Sequence, residues 1–338
     1  MLTPEQARRL KQAFCRTCCA TGITRLCEWH RSACGVTFLR LRLSPRVREE
    51  ASDPWTQETL VAALEVVARH YRMIPIDEAV AALRPERALP RSAVVLVASL
   101  PVRLEQIDLA RAFAQAGTPC ALYVTPGVLE RGIPPWPLMI RLALAKVSGD
   151  TVETYGRRWL LTGPEHRRTT LDGIITRLYS LPEVERHLRA EELVESWGVA
   201  LDALPGLKWY EVESLARCEL ITVGAAGLTG DSLVRQPLDR AVYEIREARA
   251  LLEEHLNTQT RHFEYPWEEV SPLLREQIVR AGYRSALAGD DGTVGMNRPG
   301  ADAFTLTAHA LRPGTREAIR VRLAGIPGAL GPLNRLLS

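Results

Sequence analysis

Two groups of residues in this chain have the types and spacing to do chemistry. The first is Cys15-x-x-Cys18 followed by Cys27, His30 and Cys34. Thiolate and imidazole groups are what a structural zinc ion takes, so Cys15, Cys18, Cys27 and His30 could hold one, although the spacing matches no zinc module. The plainer reading makes Phe14, Cys18, Cys19, Ile23, Leu26 and Cys27 the apolar side of a terminal helix, with Cys as a small hydrophobe. It is preferred, because short ligand-like motifs arise often by chance.

The second group is Arg261, Glu264, Tyr265, Trp267 and Glu268, with Glu269 beside them. These are candidate pocket residues at the predicted end of a strand, where α/β barrels place their sites. The carboxylates could form an acid or metal centre, and Tyr265 and Trp267 could stack on a sugar face. A solvated loop and a buried core are the competing readings. His166, His187, His262 and His309 have no partner at metal-ligand spacing and read as structural.

Elements that would position these groups alternate along the chain. The run over residues 36–43 has strand periodicity, and residues 93–98 and 120–124 are short apolar runs of the kind buried on both faces of a parallel sheet. Asp53-Pro54 is expected to start a helix, Asp77 to cap another, and residues 104–116 to form a third ended by Gly117. Residues 151–161 read as a hairpin and 165–199 as amphipathic helices. Helix and strand then alternate again through residues 209–216, 220–223, 240–256, 262–265, 271–281 and 285–288, with a last strand over 305–311. About seven strands with helices between them predict a parallel sheet near the size of a small barrel. Residues 1–35 read as a Cys-rich helical extension, 36–338 as the barrel, and 150–205 as a helical insertion within it.

Composition narrows the function classes. The net charge is only +3, and nearly all cations are Arg, with Lys at positions 11, 146 and 208 alone. Acids are interspersed throughout, which gives no nucleic-acid footprint. No apolar run approaches the ~20 residues of a membrane span. The N-terminal stretch is broken by Glu5, Arg8, Arg9, Lys11 and Arg16, unlike a secretory signal, so a cytoplasmic location is expected. Residues 8–31 carry six cations and one acid, which also describes a helix lying at an anionic membrane surface. Docking on the barrel is favoured, because Cys and Ala are weak anchors. There is no repeat, no low-complexity tract and no Gly-rich phosphate loop.

Four stretches, in order, resemble the polysaccharide deacetylases (NodB homology, carbohydrate esterase family 4). They are residues 83–96 (LRPERALPRSAVVL), 116–124 (AGTPCALYV), 207–216 (LKWYEVESLA), and 261–266 (RHFEYP) with 281–286 (AGYRSA) and 297–304 (NRPGADAF). Even 181–186 (LPEVER) has a counterpart in exopolysaccharide-linked members. The resemblance implies a NodB-type distorted (β/α)7 barrel. It also implies a site in which one Asp of Thr-Phe-Asp-Asp-Gly is general base, while the other Asp and both His of His-x-x-x-His hold a divalent metal. Such a metal activates water for amide hydrolysis.

Laid on this chain, those positions are Ser99, Leu100, Gly224 and Leu228. Residues 94–104 contain no acid, and residues 221–230 no His, Asp, Glu or Cys. The resemblance therefore carries an expectation of no metal, an apolar pocket floor and no hydrolysis. The expected protein is a catalytically inactive relative, with a carbohydrate ligand or a protein partner. The alternative is an active hydrolase of N-acetyl groups that works through Glu264, Glu268 or another group outside the old motifs.

Overall fold

The computed structural model describes residues 4–32, 34–43, 55–289 and 295–326. In chain order its strands are β1 (Val36–Arg42), β2 (Arg72–Met73), β3 (Ala93–Ser99), β4 (Cys120–Val124), β5 (Thr151–Thr154), β6 (Arg157–Leu160), β7 (Ile221–Ala225), β8 (His262–Glu264), β9 (Ser285–Gly289), β10 (Met296–Asn297), β11 (Leu306–Thr307) and β12 (His309–Leu311). β5 and β6 form the expected hairpin, and the others make one sheet with the central order β1-β3-β4-β7-β8-β9-β11. All pairings along that path are parallel.

The sheet curls until its two ends nearly meet. β11 pairs with β9, and two residues later β12 pairs with the far side of β1, so one stretch of chain, 306–311, reaches both edges. The single last strand expected from the sequence is therefore two short strands. The bond from Ala308 N–H to Gly289 O spans the break between them. An α/β barrel of the expected kind results.

A strand presents alternate residues to opposite faces. Val36 and Phe38 of β1, Val95 and Val97 of β3, Ala121 and Tyr123 of β4, and Leu287 of β9 pack together inside the barrel. Their neighbours Leu39, Leu41, Val94, Leu96, Leu122, Phe263 and Ala286 face outward into the larger hydrophobic layer under the helices. Continuous apolar runs were needed because both faces are buried.

The helices are α1 (Pro4–Ala20), α2 (Ile23–Ser32), α3 (Gln57–His70), α4 (Ile76–Ala82), α5 (Leu109–Ala116), α6 (Trp136–Lys146), α7 (Pro164–Tyr179), α8 (Glu183–Ser196), α9 (Trp209–Ala216), α10 (Leu238–Leu256), α11 (Pro272–Arg280) and α12 (Arg316–Leu323). Several starts differ from expectation for a local reason. α3 begins after Thr56, which forms a reciprocal capping box with Thr59, and Asp53-Pro54 lies outside the described residues. The cap of α4 is Pro75 rather than Asp77. α5 begins at Leu109 because Asp108 accepts from Arg111 N–H, and it ends at Gly117 in the left-handed conformation, φ 58°.

The N-terminal extension is two helices, parted at Gly22 with φ 77°. α1 lies against α12, where Cys15 and Cys18 pack with Val321, Ala324 and Ile326. The hairpin, α6, α7 and α8 enclose a second apolar core around Trp136, Ile140, Ile174, Leu178 and Val194. This insertion stands over loops at the C-terminal end of the barrel.

Candidate functional site

The inward-facing residues at the C-terminal ends of the strands form a polar cluster. Register places Arg42 opposite Ser99, Ser99 opposite Tyr123, and Tyr123 opposite Gly224. Ser99 Oγ lies 2.7 and 2.6 Å from the two carboxylate oxygens of Glu264. Arg40 reaches Glu264 at 3.2 Å, and it also pairs with Glu268. Arg42 touches the same Glu268 at 3.3 Å. Both Arg40 and Glu264 are buried.

Burial pushes the Glu264 carboxyl above its ordinary value, against the opposing pull of Arg40 and the Ser99 hydrogen bond. The Tyr123 phenol is pushed up as well, first by burial and then by the Glu264 charge. Its hydroxyl has no hydrogen-bond partner among the described residues. Arg40 and Arg42 face Glu264 and Glu268 here, so cations and carboxylates stand paired at the barrel mouth.

These residues do not fit the divalent metal that the resemblance implies. Ser99 is committed to Glu264. Leu100 faces the outer hydrophobic layer. A Cβ on Gly224 would stand 2.8 Å from Tyr123 ring atoms and from His262 O, so no imidazole could be carried there as the chain stands. Leu228 is buried in the outer layer, with its carbonyl taken by Gly127 N–H and its N–H by Glu244. Among the described residues no group of three or more His, Cys, Asp or Glu is arranged to hold a metal.

The apolar floor expected from Leu100 and Leu228 is corrected at this point. Those two side chains do lie in apolar surroundings, but they face the helix layer. The interior instead carries an ion pair, because Arg40 and Glu264 have inward parity on their strands.

The other candidates separate. Arg261 sits before β8, at the opposite end of the barrel, 3.6 Å from Asp77. The Asp77 carboxyl is held low, chiefly by His262, whose other ring nitrogen is 2.8 Å from Ser285 Oγ. Tyr265 is buried in the outer layer and donates to Phe304 O at 3.1 Å. Glu269 meets Ser232 and Arg235.

Trp267 is the exposed candidate, 45% accessible, anchored by its indole N–H to Gly230 O and by its ring edge to Tyr179. Trp267 and Glu268 both adopt positive φ, 62° and 59°. Consecutive left-handed residues with Cβ atoms are costly and persist only where surroundings hold them. The turn consumes the N–H groups of Glu268 and Glu269 on Tyr265 O and Pro266 O, which leaves neither free for an oxyanion.

Sequence reasoning missed a second polar cluster. Asp231, fully buried, takes Arg186 at 3.0 Å and His187 at 3.3 Å from the insertion, and Trp136 N–H from α6. Arg186 lies over the rings of Trp136 and Tyr179. The signal was slight: Asp231 directly follows the stretch 221–230 that lacks any acid. At the N-terminus, Cys15 and Cys18 are buried and Cys27 partly so, packed as small hydrophobes against α12. The side chain of His30 lies outside the described residues.

No protein-family profile and no curated protein matches the chain. Solved structures do. IcaB from Ammonifex degensii aligns over 86% of this chain and 97% of its own, with 15% identity and a TM-score of 0.53. The Streptococcus pyogenes deacetylase PplD, solved in complex with acetate, aligns over the same shares at 10% identity and a TM-score of 0.55. BC0361, a polysaccharide deacetylase from Bacillus cereus, aligns over 86% of this chain and 68% of its own, at 8% identity and a TM-score of 0.50. At such identities the likeness concerns the fold, and the fold is that of the polysaccharide deacetylases.

Proposed function

We propose that this protein uses a deacetylase barrel to bind carbohydrate, in a binding or scaffolding role linked to polysaccharide metabolism, and does not hydrolyse it. The observation that carries the reading is the Arg40 guanidinium paired with Glu264 inside the barrel mouth. The pair fills the barrel mouth with a matched cation and carboxylate, and the ligand positions that the resemblance implies hold Ser99, Leu100, Gly224 and Leu228. Water there has no Lewis acid to make it a nucleophile. Trp267 supports binding, since an anchored, exposed indole held in a strained turn suits a sugar face.

The alternative, hydrolysis through Glu264, has less support. Its two oxygens are engaged by Ser99 and Arg40, and the residue is 5% exposed. Cys15, Cys18, Cys19, Cys27, Cys120 and Cys218 are free thiols. No helix among the described residues is long and apolar enough to cross a membrane.

The test is elemental analysis of purified protein combined with an acetate-release assay on N-acetylglucosamine oligomers. Substoichiometric metal and no acetate are expected. Stoichiometric zinc with acetate release that is lost in Glu264→Gln would replace this reading with the hydrolytic one.

A further inference from the structure

The helix α2 presents two unlike sides. At 3.6 residues per turn, Thr24, Cys27 and Glu28 share one side, and Ile23, Arg25, Leu26 and Trp29 share the other. The first side is docked. Arg320 of α12 donates to Thr24 Oγ at 3.2 Å and pairs with Glu28 at 3.5 Å, and Cys27 packs against the cluster of α1 and α12. The second side faces solvent, yet it is largely apolar: Trp29 is 70%, Leu26 67% and Ile23 45% accessible. Among the described residues no other large apolar side chain is as exposed as Trp29 and Leu26. The cysteines that make a weak anchor thus lie on the docked side, and stronger hydrophobes occupy the outer one.

Charge of one sign surrounds this face. Residues 8–31 hold six cations and one acid, and that acid, Glu28, is turned inward onto Arg320. Arg16 and Arg25 are exposed. Further cations crowd the docked helices. The Lys11 ammonium is held below its ordinary value, first by burial and then by Arg322 and Arg312. The His70 imidazole is lowered in the same way, by burial and then by Arg320, Arg69 and Arg25. Like charges gathered so closely are stabilised by an anionic neighbour.

We propose that the outer face of α2 seats this protein on an anionic membrane surface, with Ile23, Leu26 and Trp29 at the headgroup boundary and Arg25 and the surrounding cations against acidic lipid. An exposed apolar patch rimmed by charge marks a docking surface. An apolar stripe carrying Trp, with Arg beside it, suits the bilayer interface: the indole settles at headgroup level, and the guanidinium reaches lipid phosphate from an apolar stem. The other side of α2, fixed to α12, holds the stripe in place before any lipid is met. This seat is separate from the barrel mouth and independent of the carbohydrate-binding reading.

Cosedimentation of the full chain with vesicles tests it, using phosphatidylcholine alone and phosphatidylcholine mixed with phosphatidylserine. Binding to the mixed vesicles is expected to be roughly tenfold tighter, and to weaken in high salt. Leu26→Ser/Trp29→Ala should weaken it by roughly tenfold or more. Thermal unfolding of that variant should match the parent, because both side chains are exposed. Arg16→Gln/Arg25→Gln should remove most of the preference for acidic lipid. Equal binding to both kinds of vesicle overturns the anionic assignment. Binding unchanged in Leu26→Ser/Trp29→Ala, or no binding by the parent, overturns the proposal. If the parent instead sediments as a dimer that this variant dissociates, the face belongs to a second copy of the chain and not to lipid.

Discussion

Arg40 and Glu264 meet inside the barrel at 3.2 Å, although β1 and β8 are not neighbours in the sheet and both side chains are less than a tenth exposed. The pair therefore ties two walls together through the interior. Desolvation makes such a pair expensive to form and more expensive to break. Arg40→Met should cost about 3–5 kcal/mol, because Glu264 is left a buried, unmatched charge, and Glu264→Ala should cost less, because Arg40 keeps Glu268. The double variant Arg40→Met/Glu264→Leu should recover most of that loss. Denaturant unfolding decides it: a double variant as unstable as the sum of the singles would contradict the coupling.

Gly224 is predicted to be intolerant of any side chain. Ala there would bring its Cβ to 2.8 Å from the Tyr123 ring and His262 O, both fixed in the barrel. Overpacking of this kind costs typically 1–3 kcal/mol, so about that loss is expected for Gly224→Ala in thermal or chemical unfolding. A neutral substitution would mean that the ring moves aside.

A graft of the family's metal set should fail. Ser99→Asp with Leu100→Asp and Leu228→His supplies carboxylates and an imidazole, yet positions 100 and 228 face the helix layer, so the three groups do not converge on one ion. Elemental analysis is expected to find no bound zinc with or without Arg40→Ala. Stoichiometric zinc in the graft would show that this end of the barrel rearranges.

Asp231 makes stability acid-dependent. Burial pushes its carboxyl upward, but hydrogen bonds from His187 and Trp136 and the Arg186 charge outweigh this and hold it below the ordinary 3.8. A lowered folded-state value means that the unfolded chain takes the proton first. The contribution is thus fully present above about 3.8 and is lost as pH falls through the folded value. Asp231→Asn should be less stable than the parent near neutrality, with the gap closing in acid. A gap independent of pH would place the effect elsewhere.

Cys15 and Cys18 should resist thiol reagents. Burial is the main cause raising both thiols, so the thiolate is scarce as well as shielded. Mass spectrometry after brief labelling is expected to find Cys27 modified before Cys15, Cys18 or the fully buried Cys120. Zinc content should be the same in Cys15→Ser/Cys18→Ser as in the parent. Zinc that disappears with those thiols would restore the metal reading of the extension.

The alternation of strands and helices was legible because a parallel sheet covered on both faces demands unbroken apolar runs such as residues 93–98. Arg40 was not legible as an interior residue. Val36–Arg42 mixes apolar and charged side chains, and a charge on a strand ordinarily faces water. Whether its face points into a barrel depends on closure by residues 306–311, far away in sequence. The cluster around Asp231 joins residues from α6, α8 and the loop after β7, and no local spacing encodes that meeting. Trp267 and Glu268 carry no glycine to announce their positive φ. Sequence pattern reported the layers, and contacts between distant segments determined what the layers enclose.

The seam at residues 306–311 also gives the fold an order in time. β1 leaves a ribosome before β10 and β12, so one of its edges stays bare until they have been made, and α1 waits for α12 in the same way. Contacts so distant in sequence close slowly, and an unpaired edge strand is an invitation to other chains meanwhile. The first strand of this barrel is the last to be enclosed.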